Sequence, residues 1–160
     1  MSTAPSTVPP IRKEVLVATT PERAFHVFTD GIDRWWPREH HIGSSPLARE
    51  VLEPGVGGRW YGVSDDGTEC EVGKVLRWEP PARLVLAWQI GADWKYDARF
   101  VTEIAVTFTA EGPRSTRVVL EHRDLHRYGV AAEALRKEMD SQGGWGITME
   151  RFAVAASAPE

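Results

Sequence analysis

Residues Gln142–Phe152 read QGGWGITMERF. Gly143, Gly144 and Gly146 surround Trp145, and behind them Trp145, Met149, Phe152, Ala153 and Ala156 fall at i, i+4, i+7, i+8 and i+11, one face of a helix. A glycine inside a helix costs about 1 kcal/mol relative to alanine, and less at its start. Glycines gathered there predict a close approach, with the helix crossing low over a sheet and Trp145 projecting into the gap between them. Trp145 then has two roles open to it, the wall of a ligand pocket or a plug that fills the core. The plug is the commoner use of a large aromatic residue at helical spacing.

The residues upstream supply the sheet. Arg49–Pro54, Gly57–Ser64, Thr68–Glu79, Arg83–Ile90, Val101–Ala110 and Ser115–Arg123 all show the two-residue period of strands. Their joints, EPGVGG, SDDGT, EPPAR and AEGPRS, carry turn chemistry. Short joints between successive strands make an antiparallel meander. Ile11–Thr19 adds a first strand. It is followed by TPERAFHVFTD, a helix that Thr20 can cap, Pro21 can open and Glu22 suits electrostatically. GIDRWWP is a second short helical turn stopped by Pro37, REHHIGSSPLA a loop, and VAAEALRKEMD (Val130–Asp140) a further helix. The order predicts an α+β fold: a curved seven-strand antiparallel sheet around a long C-terminal helix, with two short helices after the first strand. One domain spans 11–157, and residues 1–10, MSTAPSTVPP, read as a disordered tail.

Composition narrows the function. The chain has 160 residues, 42 % hydrophobic and 26 % charged, enough for one domain with a real core. A net charge of −4 argues against a nucleic-acid or anionic-membrane binder. Cys70 is the single cysteine, so no intrachain disulfide forms, and no electropositive setting marks it as a reactive thiol. No apolar run reaches the ~20 residues of a membrane span, and the first residues lack a signal-peptide pattern; a cytoplasmic location is expected. The seven tryptophans stand out. Each buries a large area and needs a partner for its indole N–H, so a surplus often lines pockets or interfaces.

Strand parity selects candidates. On TRVVLEH, Val118, Leu120 and His122 share the apolar face, which makes His122 either a polar anchor, an acid/base group or a core histidine bonded to its neighbours. On ECEVGKVLRW, Glu71, Gly73 and Val75 share a face, so an inward Glu71 would be a buried carboxylate in need of a partner, and an outward one a solvated charge. Trp60 and Trp88 are expected inward. Trp35 and Trp36 lie at the end of the second short helix, either with one packed inward and the other partly outward at a pocket, or both in a satellite core. His40 and His41 point apart and lie far in sequence from His26 and His126, so a metal site is not expected, nor is any cofactor. Nucleotide-binding glycine motifs and a GxSxG elbow do not occur.

The element order and the phrases TTPERAFHVFTD with WWP, EPGVGGRWY, GKVLRWEPPARLVLAW, STRVVLEHRDL and GGWGITMERFA together resemble the START-like (SRPBCC) superfamily. Within it, the likeness is to the family related to the C-terminal domain of the activator of heat-shock protein 90 ATPase. The resemblance implies the helix-grip fold and three functions. The first is a small-molecule binding domain with an apolar cavity between helix and sheet, lined by Trp36, Trp60, Trp88, His122, Trp145, Met149 and Phe152. The second is a chaperone-linked, stress-response interaction module with a filled core and an exposed apolar patch; the eukaryotic activator carries an additional N-terminal domain. The third is a cyclase- or hydrolase-type enzyme acting on an aromatic or polyketide-like substrate through Glu71 and His122; it ranks last, and a non-enzyme is favoured. A homodimer would cover the edge strands of the meander.

Overall fold

The period of two is fulfilled most cleanly in Ser115–Arg123, where Thr116, Val118, Leu120 and His122 are buried and the residues between them are not. A computed structural model describes residues 8–159 of the chain. The strands are β1 (Ile11–Val17), β2 (Leu47–Leu52), β3 (Arg59–Ser64), β4 (Glu69–Glu79), β5 (Arg83–Trp88), β6 (Thr102–Gly112) and β7 (Ser115–Arg123). They form one antiparallel sheet in the order β1-β7-β6-β5-β4-β3-β2. The meander is therefore completed by the first strand, which adds beside the last. Of the expected tail, residues 1–7 lie outside the described residues. Arg136 donates to the carbonyls of Pro9 and Pro10 at 2.7 and 3.1 Å, and Val8 packs on the core.

The helices are α1 (Pro21–Phe28), α2 (Ile32–Trp35), α3 (Ala132–Asp140) and α4 (Ile147–Ser157). Thr20 caps α1 by accepting from the Arg23 N–H. A 3-10 segment, Leu125–Ala131, leads into α3. The C-terminal helix is shorter than its apolar face implies. Its first turn, Gln142–Gly146, is a π-type turn in which the Ile147 N–H donates to the Gln142 carbonyl. The face itself is as read, with Met149 and Phe152 sealed against the core, each worth about 1.5–3 kcal/mol of burial.

The glycines have a different reason from the one expected. A Cβ on Gly144 would stand 2.3 Å from the Met139 carbonyl oxygen, so the close approach is to the end of α3, not to the sheet. Gly143 has nothing within 4 Å of its missing Cβ.

Two bulges on β4 bend the sheet. Trp60 pairs with Gly73 but Tyr61 with Glu71, which leaves Val72 extra; Val75 pairs with Leu86 but Arg77 with Val85, which leaves Leu76 extra. Gly73 lies between Trp60 and Trp88 in one cross-strand row. Its missing side chain lets the two indoles meet, with ring centroids 5.6 Å apart. A Cβ there would lie 1.7 Å from the Ala87 carbonyl oxygen.

Candidate functional site

A cavity of about 430 Å³ opens between the inner face of β2–β4, the loop after Trp36, the end of α3 and the π turn. This lies in the ~300–1,000 Å³ range of small-molecule sites. Its aromatic walls are Trp36, Trp88, Trp94 and Trp145. Trp36, Trp60, Trp88 and Trp145 form a connected cluster whose rings meet edge-on or tilted at centroid distances of 5.6 to 6.4 Å.

Every indole N–H of that cluster is spent inside the protein. Trp36 donates to the His40 carbonyl at 2.9 Å, Trp60 to Glu50 Oε2 at 2.7 Å, Trp88 to the Tyr128 hydroxyl at 2.9 Å and Trp145 to His122 Nδ1 at 3.1 Å. Trp36, Trp88 and Trp145 therefore offer the cavity carbon faces rather than donors.

The sequence-predicted residues divide. Trp36, Trp88 and Trp145 lie on the cavity wall, while Trp60, Met149 and Phe152 belong to the packed core and His122 is buried outside the cavity lining. Trp35 and Trp36 are both buried, so neither points outward; Trp35 packs on Phe28 and Phe152 and donates to the Val27 carbonyl at 2.8 Å. Glu71 faces away from the cavity. Beside the Val72 bulge it pairs with Tyr61 on the outer face, where Arg59 donates to it at 2.9 Å and stacks over Tyr61. Parity counted from Val75 fails because the bulge inserts one residue.

His122 is fully buried, and burial pushes it down to about 3. It is a satisfied neutral histidine sharing a bond of 2.8 Å with Thr102 Oγ1. Glu71 and His122 therefore do not meet, and the pair offered for catalysis does not form.

His40 and His41 both line the cavity; among the described residues no group of three or more His, Cys, Asp or Glu side chains is placed to hold a metal ion. His40 donates from Nε2 to the Gly143 carbonyl at 2.8 Å, and its Nδ1 lies 3.2 Å from Thr148 Oγ1. This ties the loop to the π turn across the cavity edge. Cys70 lines the cavity with its Sγ 4.0 Å from Ser64 Oγ.

Two residues escaped the sequence reading. Glu50, on β2, is 4 % exposed and lines the cavity. Burial pushes its carboxyl up to about 8, against the lowering pull of the Trp60 N–H and Arg38. Its only sequence signal was a charge at an inward parity position in REVLEP. Trp94 lines the cavity from the β5–β6 loop in a left-handed backbone conformation, φ 61°, unusual for a bulky residue. An aromatic residue inside the polar stretch GADWKYD was the signal available there.

A family model described as "Activator of Hsp90 ATPase homolog 1-like protein" matches residues 18–157. Among solved structures, the chain is similar to "An anthrahydroquino-Gama-pyrone synthase Txn09 complexed with SUM". The identity is 39 %, over 94 % of this chain and 99 % of that one, with a TM-score of 0.66. It is also similar to a self-sacrificing resistance protein, CalC from Micromonospora echinospora. There the identity is 30 %, over 92 % of this chain and 94 % of that one, with a TM-score of 0.67. The Aha1 dimer from Colwellia psychrerythraea, 16 % identical over 94 % of this chain and 97 % of that one with a TM-score of 0.62, bears on the fold alone. No curated protein matches the chain. No helix among the described residues is long and apolar enough to cross a membrane.

Proposed function

From the premise that the chain belongs to the Activator of Hsp90 ATPase homolog 1-like family, we propose that it binds a planar aromatic, polyketide-like small molecule in the tryptophan-walled cavity. The observation that carries this reading is a cavity of about 430 Å³ beside an aromatic cluster whose N–H groups are all engaged. Such a wall recognises flat apolar surface by stacking and burial. The similarity to the anthrahydroquino-Gama-pyrone synthase supports the same ligand class.

A chaperone-type interaction module would need a filled core and a large exposed apolar patch. Instead the cavity is open, and among the exposed large apolar residues only Trp94 and Tyr96 share a loop, while Leu16, Val56, Val130 and Val154 come from four other segments. Catalysis on the bound molecule is a second reading, favoured by the buried carboxyl of Glu50 and by the synthase relative. Neither Glu71 nor His122 lines the cavity.

The test is a fluorescence titration of the intrinsic tryptophans with 9-fluorenone and with fluorene, flat tricycles with and without a carbonyl. Saturable quenching with micromolar affinity is expected, weakened at least about tenfold by Val72→Phe, which adds bulk to the cavity wall. Absence of saturable quenching by either tricycle would refute the reading.

A further inference from the structure

Glu50 is held from several sides yet keeps one oxygen free. Its backbone N–H donates to Asp33 Oδ1 at 2.9 Å, and its Oε2 accepts the Trp60 indole N–H at 2.7 Å. Its Oε1 has no hydrogen-bond partner among the described residues. Room for that oxygen comes from Gly62, the cross-strand partner of Glu50 on β3 and of Cys70 on β4. A Cβ on Gly62 would stand 3.1 Å from Glu50 Oε1 and 2.8 Å from Leu47 Cδ1. The row Glu50, Gly62, Cys70 is thus a notch in the cavity floor with a carboxyl at one end.

Burial raises the carboxyl to about 8, so at neutral pH it carries its proton. A carboxylic acid that accepts at one oxygen retains an O–H to donate. No described residue is bonded to Oε1, so a ligand acceptor can take that place.

We infer that Glu50 is the polar anchor of the cavity, donating a hydrogen bond from its carboxyl to a carbonyl oxygen of the aromatic ligand. The site therefore selects neutral ketone- or quinone-bearing aromatics over the bare hydrocarbons and over anionic ligands. This rests on the aromatic-binding reading above. Other titratable groups face the same region: Asp33 from α2 with Arg38 paired to it at 2.9 Å, Glu39, His40 and His41 from the following loop, Cys70 from β4 and Glu138 from α3. The inner face of β3 contributes none.

The test compares 9-fluorenone with fluorene by tryptophan quenching on the full chain, between pH 6.5 and pH 9, in wild type and Glu50→Gln. Neither probe titrates in this range. At pH 6.5 wild type binds the ketone about tenfold more tightly than the hydrocarbon. By pH 9 the ketone's affinity falls about tenfold, in proportion to the fraction of Glu50 still protonated, while that of fluorene stays level. Glu50→Gln, whose amide is a weaker donor, binds the ketone about threefold more weakly at pH 6.5 and shows no pH dependence. Equal affinity for the two probes in wild type, or a pH dependence that persists in Glu50→Gln, overturns the anchor and leaves the aromatic-binding reading standing. Failure of both probes to bind overturns both.

Discussion

The indole N–H of Trp145 donates to Nδ1 of His122 at 3.1 Å, and that bond decides which ring nitrogen carries the proton. With Nδ1 accepting, Nε2 holds the hydrogen and donates to Thr102 Oγ1 at 2.8 Å, and the Thr102 hydroxyl donates on to the Trp88 carbonyl at 3.3 Å. The chain of bonds links α4's entry turn to the sheet and leaves His122 no place for a second proton.

The acid limb of stability follows. His122 is held down at about 3, whereas the unfolded chain takes up the proton near the ordinary 6.5. Between these values the unfolded state holds a proton the native state refuses. Stability is therefore full above pH 6.5 and is lost as pH falls toward 3, at up to about 1.4 kcal/mol per pH unit. In a Glu50→Gln background, urea midpoints from pH 3.5 to 6.5 should show this slope, and adding His122→Leu should remove it. Trp145→Phe, which strands Nδ1 in the core, should cost about 1–3 kcal/mol at pH 7.

Glu50 acts in the opposite sense. Its native value of about 8 lies above the ordinary 4.5, so between the two the native state keeps a proton that the unfolded chain has released. Stability is full below pH 4.5 and is lost as pH rises through 8. From about pH 4.5 to 6.5 the His122 and Glu50 slopes cancel, and above pH 6.5 the Glu50 slope stands alone. Urea midpoints between pH 6.5 and 8 should fall in wild type and stay level in Glu50→Gln.

The glycines separate by what their missing Cβ would meet. Gly143→Ala meets nothing within 4 Å and should change stability by less than about 0.5 kcal/mol. Gly144→Ala, against the Met139 carbonyl, and Gly73→Ala, against the Ala87 carbonyl, should each cost about 3 kcal/mol or fail to fold. Thermal melts of the three variants read the difference. A destabilised Gly143→Ala beside a tolerated Gly144→Ala would contradict the packing of α3 against the π turn.

Local period carried most of the fold. The face of Trp145, Met149, Phe152 and Ala156 was legible because helical spacing survives the π turn, and the strands because turn residues separate their two-residue alternation. What failed depends on pairing across strands. The Val72 bulge is a property of β4 against β3, so parity along β4 alone could not decide between an inward Glu71 and the outward one that faces Arg59. Glu50 reads as one charge among several on an edge strand. Its meaning comes from Trp60, ten positions away in sequence, which supplies its N–H, and from Gly62, which leaves it room. Trp94 lines the cavity from a loop in which its own backbone is left-handed, which no pattern in the sequence announces.

Binding in the cavity is tested most directly by following the seven tryptophan indole N–H signals in a proton–nitrogen NMR spectrum during titration with 9-fluorenone. Occupation of the cavity predicts saturable shifts of Trp36, Trp88, Trp94 and Trp145 with one common affinity, and of Trp60 through its bond to Glu50. Trp78, which packs on Phe25 away from the cavity, should stay in place, and Trp35, which touches the wall only through Trp36, should shift least of the others. Shifts confined to Trp35 and Trp78, or none at saturating ligand, would contradict a ligand-binding cavity.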